Sequence, residues 1–170
     1  TGTGNAADNV IRGTAVGDKI FGLAGDDSLI GGLGNDTLSG GVGSDSLDGG
    51  TGVDLADYTT SAQAVTVNLG VATQISTGDA SGDSIALNTV EGVIGSTFGD
   101  ILTGDANANT LFGGLGNDTL AGGVGNTQVS TRRSARSWCS TAEWLVSPFY
   151  VISTRRCRSG MRMRRPAALL

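Results

Sequence analysis

The chain has 170 residues and carries 11 basic against 16 acidic side chains, a net charge of −5. Histidine is absent, which excludes Ser-His-Asp and Cys-His triads, the HExxH zinc site and an imidazole-ligated haem. Aromatic residues are 5%, too few for a large aromatic core, and no apolar run reaches the roughly 18 residues of a membrane helix.

The averages hide a break near Asn126. Residues 1–126 hold 15 acidic and 2 basic side chains, whereas residues 127–170 hold 9 Arg and one acid, Glu143. Of the 29 Gly, 28 precede the break; both Trp, both Cys, both Met and both Pro follow it.

From the start of the chain, Gly4, Gly13, Gly22, Gly31, Gly40 and Gly49 are spaced nine apart. Five residues after each stands Asn9, Asp18, Asp27, Asp36, Asp45 or Asp54. An apolar position follows at Ile11, Ile20, Leu29, Leu38 and Leu47, and weakens to Ala56. The cleanest units read GGLGNDTLS (31–39) and GGVGSDSLD (40–48). A disordered linker has this composition but no need for a fixed Asp or Leu. One apolar residue per unit cannot make an amphipathic helix, and paired glycines weaken one. Polar-apolar-polar triplets such as Thr37-Leu38-Ser39 predict short strands, and GGLGND predicts a tight turn. Two units then form a coil of 18 residues, and coils stack as an all-β parallel β-solenoid, or β-roll.

Apolar burial alone cannot hold such coils. One buried Leu contributes about 1.5–3 kcal/mol, against roughly 1–2 kcal/mol of backbone entropy for each residue ordered. Stacking also sets Asp18, Asp36 and Asp54 in one column and Asn9, Asp27 and Asp45 in another. A cation must sit between the layers. Strands about 4.8 Å apart would place it about 2.4 Å from each, which matches calcium–oxygen bonds and is too long for magnesium. Carboxylates and turn carbonyls are hard donors, so zinc and copper are disfavoured.

Residues 58–94 break the phase. AVTVNL (64–69) predicts a strand with Val65, Val67 and Leu69 on one face, and STGDASGDS (76–84) a turn. ALNTVEGVIGS (86–96) predicts a returning strand through Val93 and Ile94, so the segment reads as wider coils bridging two arrays. A separate hairpin is the rival reading. The period resumes with Gly95, Gly104, Gly113 and Gly122, followed by Asp100, Asn109 and Asp118 and by Leu102, Leu111 and Leu120. Rival motifs fail. DANANTLFGGLG (105–116) has Thr110 where an EF-hand loop needs Gly and Gly116 where it needs Glu. Asp26-Asp27 reads better as a repeated turn element than as a catalytic pair. There is no GxSxG, and Lys19 is the one lysine, so no P-loop is present.

GGxGxD followed by x-apolar-x resembles the RTX, or haemolysin-type, calcium-binding repeats, most closely at 31–39, 40–48 and 113–121. The resemblance implies a parallel β-roll with calcium in its turns. Its ligands would be the carboxylates of Asp18, Asp27, Asp36, Asp45, Asp54, Asp100 and Asp118 and the carbonyls of Gly31, Gly40 and Gly113. Asn9 and Asn109 would be weaker ligands. About four ions are expected from intact Asp–Asp stacks. It further implies a secreted, extracellular bacterial protein exported by type I secretion machinery. The expected role is structural, not enzymatic, in a monomer with no membrane span and no nucleic-acid partner. The alternatives are a C-terminal fragment of a secreted protease, lipase or toxin whose catalytic domain lies upstream, and an adhesin or surface-layer array. The expected organisation is a first array (1–57), a spacer (58–94), a second array (95–126) and an Arg-rich segment (127–170). That last segment reads as disordered or frame-shifted, because the break falls inside a repeat unit; a basic nucleic-acid or membrane contact is the competing reading. Cys139 and Cys157 could pair in an oxidising compartment.

Overall fold

The computed structural model describes residues 1–74, 77–123, 125, 127–131 and 151–153. Its strands are β1 (Gly2–Thr3), β2 (Val10–Arg12), β3 (Lys19–Ala24), β4 (Ser28–Leu33), β5 (Thr37–Val42), β6 (Ser46–Thr51), β7 (Leu55–Asp57), β8 (Thr66–Asn68), β9 (Ser84–Ile85), β10 (Gly92–Ile94), β11 (Ile101–Thr103), β12 (Thr110–Gly114), β13 (Thr119–Ala121), β14 (Gln128–Thr131) and β15 (Val151–Ser153). Helical structure among them is one 3-10 turn, Gly78–Ala80. The fold is an all-β solenoid.

Odd and even units separate onto two faces. One face is a single sheet in the order β1-β3-β5-β7-β10-β12-β14. The other is split into β2-β4-β6-β9 and β8-β11-β13-β15. All pairings are parallel except that of β13 with β15 and an isolated bridge between Thr73 and Ser84. The nine-residue phase sets the register: Ile20 lies opposite Leu38, Leu38 opposite Ala56, and Leu29 opposite Leu47. These side chains form two inward ladders that meet in a core one residue wide from each face.

The strands of the central coils are longer than the sequence triplets predict. Thr37–Val42 runs through both glycines of the next unit, and Gly32 pairs with Gly50 across the opposite face. The glycine pair therefore extends the strand before the chain turns.

In segment 58–94 the chain crosses between the halves of the split face. Strand β8 joins the second half, with Val67 opposite Leu102. Strand β9 then closes the first half, with Ile85 opposite Leu47. Val65, Val67 and Leu69 are all buried, as their alternation requires. Strand β10 returns to the continuous face and pairs on both sides, Val93 lying between Ala56 and Leu111. Tyr58 is buried in this crossing and donates its hydroxyl to Asp83 at 2.9 Å.

The parallel ladder continues beyond Asn126: β14 pairs with β12, Leu111 opposite Val129. Apart from this strand and β15, the Arg-rich segment read as disordered or frame-shifted lies outside the described residues, as do Cys139 and Cys157. No helix among the described residues is long and apolar enough to cross a membrane.

Leu38 is fully buried between Ile20 and Ala56, whereas Val42 is 64% exposed. Leu38→Ala is expected to destabilise the folded chain by about 2–5 kcal/mol. Val42→Ala should stay within about 0.5 kcal/mol. Denaturant unfolding at saturating calcium measures both.

Candidate metal centre

The predicted metal positions lie at the two edges where the chain passes between faces. Each unit presents its acid-position residue there, and stacking brings residues 18 apart into contact. The backbone N–H of Asp18 donates to Asp36 Oδ1 at 2.7 Å, that of Asp27 to Asp45 Oδ1 at 2.8 Å, and that of Asp36 to Asp54 Oδ1 at 2.7 Å. Asn9 donates in the same way to Asp27, and Asp100 to Asp118 at 3.1 Å. The predicted columns are thus formed, each carboxylate anchored through one oxygen by the preceding coil.

The second oxygen distinguishes the turns. Oδ2 of Asp27, Asp36, Asp45 and Asp54 is buried and has no hydrogen-bond partner. An unpartnered buried carboxylate oxygen is costly, so it marks a place for a cation. Around it lie the first glycine of its own unit and a carbonyl one coil on. A Cβ at Gly31 would collide with Asp36 Oδ2 and Gly49 O, and one at Gly22 would meet Asp27 Oδ2 and Gly40 O at 2.6 Å. The first glycine is therefore required by space. The second is required by its backbone: Gly32 and Gly41 have φ of 106° and 101°. Leu23 occupies the same place with φ 88°, a conformation that opposes an L side chain by roughly 1–2 kcal/mol.

The carbonyls of Gly31, Gly40 and Gly113 face the first glycine of the preceding coil, at Gly13, Gly22 and Gly95. Asp118 is buried, with Oδ2 against Gly113. Among the described residues no three acidic side chains converge into a compact cage. The donors are instead distributed, a carboxylate and glycine carbonyls from successive coils. All are hard oxygens, and the buried Oδ2 atoms of Asp27, Asp36, Asp45 and Asp54 lack a protein partner, so this donor set fits calcium.

Asp18, Asp100, Asn9 and Asn109 sit at the same edges but in a different state. Thr14 donates its N–H and hydroxyl to Asp18 Oδ2 at 2.8 and 2.7 Å, and the Thr1 ammonium reaches Oδ1 at 2.8 Å. These bonds hold the Asp18 carboxyl down to about 2. Ser96 N–H donates to Asp100 Oδ2 at 2.6 Å, while its hydroxyl and Val65 N–H reach Oδ1. Asn5 and Asp105 donate their N–H to the side-chain oxygens of Asn9 and Asn109.

Two column members escaped the sequence reading. Asp45 N–H donates to Asp83 Oδ1 at 2.9 Å, and Asp54 N–H to Glu91 Oε2 at 2.9 Å. The separations are 38 and 37 residues, outside the nine-residue phase, so the period gave no signal for them. Burial pushes the carboxyl of Asp83 up to about 7 and that of Asp45 up to about 6. Asp54 is raised for the same reason.

The sign of the resulting pH dependence differs between the two groups. Raised carboxyls mean that the metal-free folded state binds more protons than the unfolded chain between about pH 4 and 7, so its stability falls as pH rises through that window. Asp18, with its lowered value, contributes stability above about pH 4 that is lost as pH falls towards 2. In chelator the chain is therefore expected to be most ordered near about pH 4. Circular dichroism against pH, with and without calcium, measures this; structure that grows steadily from pH 4 to 7 in chelator would contradict it.

Comparison with curated proteins gives no match. A family model, the RTX calcium-binding nonapeptide repeat (four copies), matches residues 3–38, 21–56 and 94–129. These ranges span both arrays and the edges at which the carboxylates stack. The chain belongs to the RTX calcium-binding repeat family.

Proposed function

We propose that the chain is a calcium-driven structural module of a secreted bacterial protein, unfolded during type I export and folded outside the cell. The observation that carries this reading is the set of four buried, unpartnered oxygens on Asp27, Asp36, Asp45 and Asp54. Each is a site for about one ion shared with the adjoining coil, hence about four in the first array. Residues 1–126 carry 15 acids against 2 bases, so without calcium the columns repel and the thin core cannot hold the coils. Low calcium keeps the chain extended enough for an export channel. Millimolar calcium outside neutralises the columns, and folding there opposes return. The role is mechanical and needs no catalytic residues in these repeats; an enzyme, toxin or adhesin parent would carry its activity in other domains.

Far-UV circular dichroism of the full chain during a calcium titration tests this, with magnesium as the control. The expected result is a cooperative transition from coil to β-structure with calcium and not with magnesium. Equal β-content in chelator and in calcium would overturn the coupling.

A further inference from the structure

We infer that the residue after the first glycine of each unit decides which turns take calcium, and that Thr14 and Ser96 replace the ion at Asp18 and Asp100. This rests on the calcium-binding reading above and sharpens it, because it removes two of the seven aspartates from the expected ligand set.

The turns fall into two states. In the open state the second residue has positive φ: Leu23 at 88°, Gly32 at 106°, Gly41 at 101° and Gly50 at 94°. Its N–H makes no bond to the acid of its own unit, and Oδ2 of Asp27, Asp36, Asp45 and Asp54 is left buried and unpartnered. In the closed state the second residue is Asn5, Thr14, Ser96 or Asp105, none with positive φ. Its N–H points inward and bonds the acid-position side chain at 2.8, 2.8, 2.6 and 2.9 Å respectively.

Closure occupies the oxygen that a metal would use. At Asp18 the Thr14 hydroxyl adds a second bond to Oδ2 at 2.7 Å and the Thr1 ammonium takes Oδ1; at Asp100 the Ser96 hydroxyl, at 2.8 Å, and Val65 N–H take Oδ1. Calcium could enter only by breaking two charge-assisted hydrogen bonds held by the turn itself. The chain supplies its own control: asparagine stands at the acid position only in closed turns, at Asn9 and Asn109, where a neutral amide accepts the same N–H. Asp100 repeats the N–H bond to Oδ2 seen at Asp18 without the Thr1 ammonium, so the chain end is not the cause of closure.

The experiment counts calcium bound per full-length chain by equilibrium dialysis. Asp36→Asn is expected to lower the count by about one ion, whereas Asp18→Asn and Asp100→Asn leave it unchanged. Thr14→Gly and Ser96→Gly, which free the backbone and delete the hydroxyl, are expected each to raise it by about one. If Asp18→Asn and Asp100→Asn lower the count as Asp36→Asn does, or if neither glycine variant raises it while remaining folded in calcium, the inference falls and the calcium module stands. If the unaltered chain binds no calcium, the proposed function itself falls.

Discussion

Everything in this molecule answers to one constraint: parallel stacking at about 4.8 Å puts each acid-position residue directly over another. Two carboxylates at that distance repel by about 3 kcal/mol at an effective dielectric constant near 20. One buried Leu returns about 1.5–3 kcal/mol, so repulsion and core are of the same size. Neither can be ignored, and the balance is set by what neutralises each carboxylate. The first oxygen is neutralised the same way in nearly every coil, by the N–H of the residue one coil earlier. The second is the variable: a turn N–H meets it at Asp18 and Asp100, Tyr58 meets it at Asp83, and at Asp27, Asp36, Asp45 and Asp54 no protein group does.

This division explains the glycines without appeal to flexibility. A first glycine makes space for its own Asp and for a carbonyl of the next coil; Gly31 does so for Asp36 and Gly49. A second glycine turns its N–H away and leaves that Asp open. The spacer obeys the same rule. It disrupts one face, yet it supplies Asp83 and Glu91 as acceptors for the last N–H donors of the two columns. Its buried Asp83 is offset by the Tyr58 hydroxyl, a hydrogen bond inside the protein where other coils leave room for an ion.

The period made the solenoid, the two inward ladders and the Asp columns legible, because register follows from phase when every coil is the same length. Val65, Val67 and Leu69 were legible for the other reason, simple alternation over a buried face. Asp83 and Glu91 were hidden because the spacer alters coil length and so destroys phase. The split of one face was hidden too, since nothing in AVTVNL says which half of the face it joins. Most instructive is the pair Asp18 and Asp36. They are identical in residue type and phase, yet one carboxylate is saturated and the other open. The difference lies in the backbone of a residue four positions earlier, Thr14 against Gly32, at the second position of the unit, where Thr14 departs from the paired glycines of the clean repeats.

Coupling along the solenoid follows from where the sheets are continuous. Stability in stacked repeats is a sum of unit terms and nearest-neighbour terms, so a cation shared by two coils strengthens the neighbour term directly. In the first array this acts through both faces. At the spacer the split face is interrupted between β9 and β8, where an antiparallel bridge joins Thr73 to Ser84, and the parallel ladder runs across on the continuous face, through Ala56, Val93 and Leu111. The spacer thus joins the two arrays by one continuous parallel sheet rather than two. The second array carries its own ladder of Val67, Leu102 and Leu120, all fully buried. The closed turn at Ser96 stands at the start of that array, with both oxygens of Asp100 already bonded.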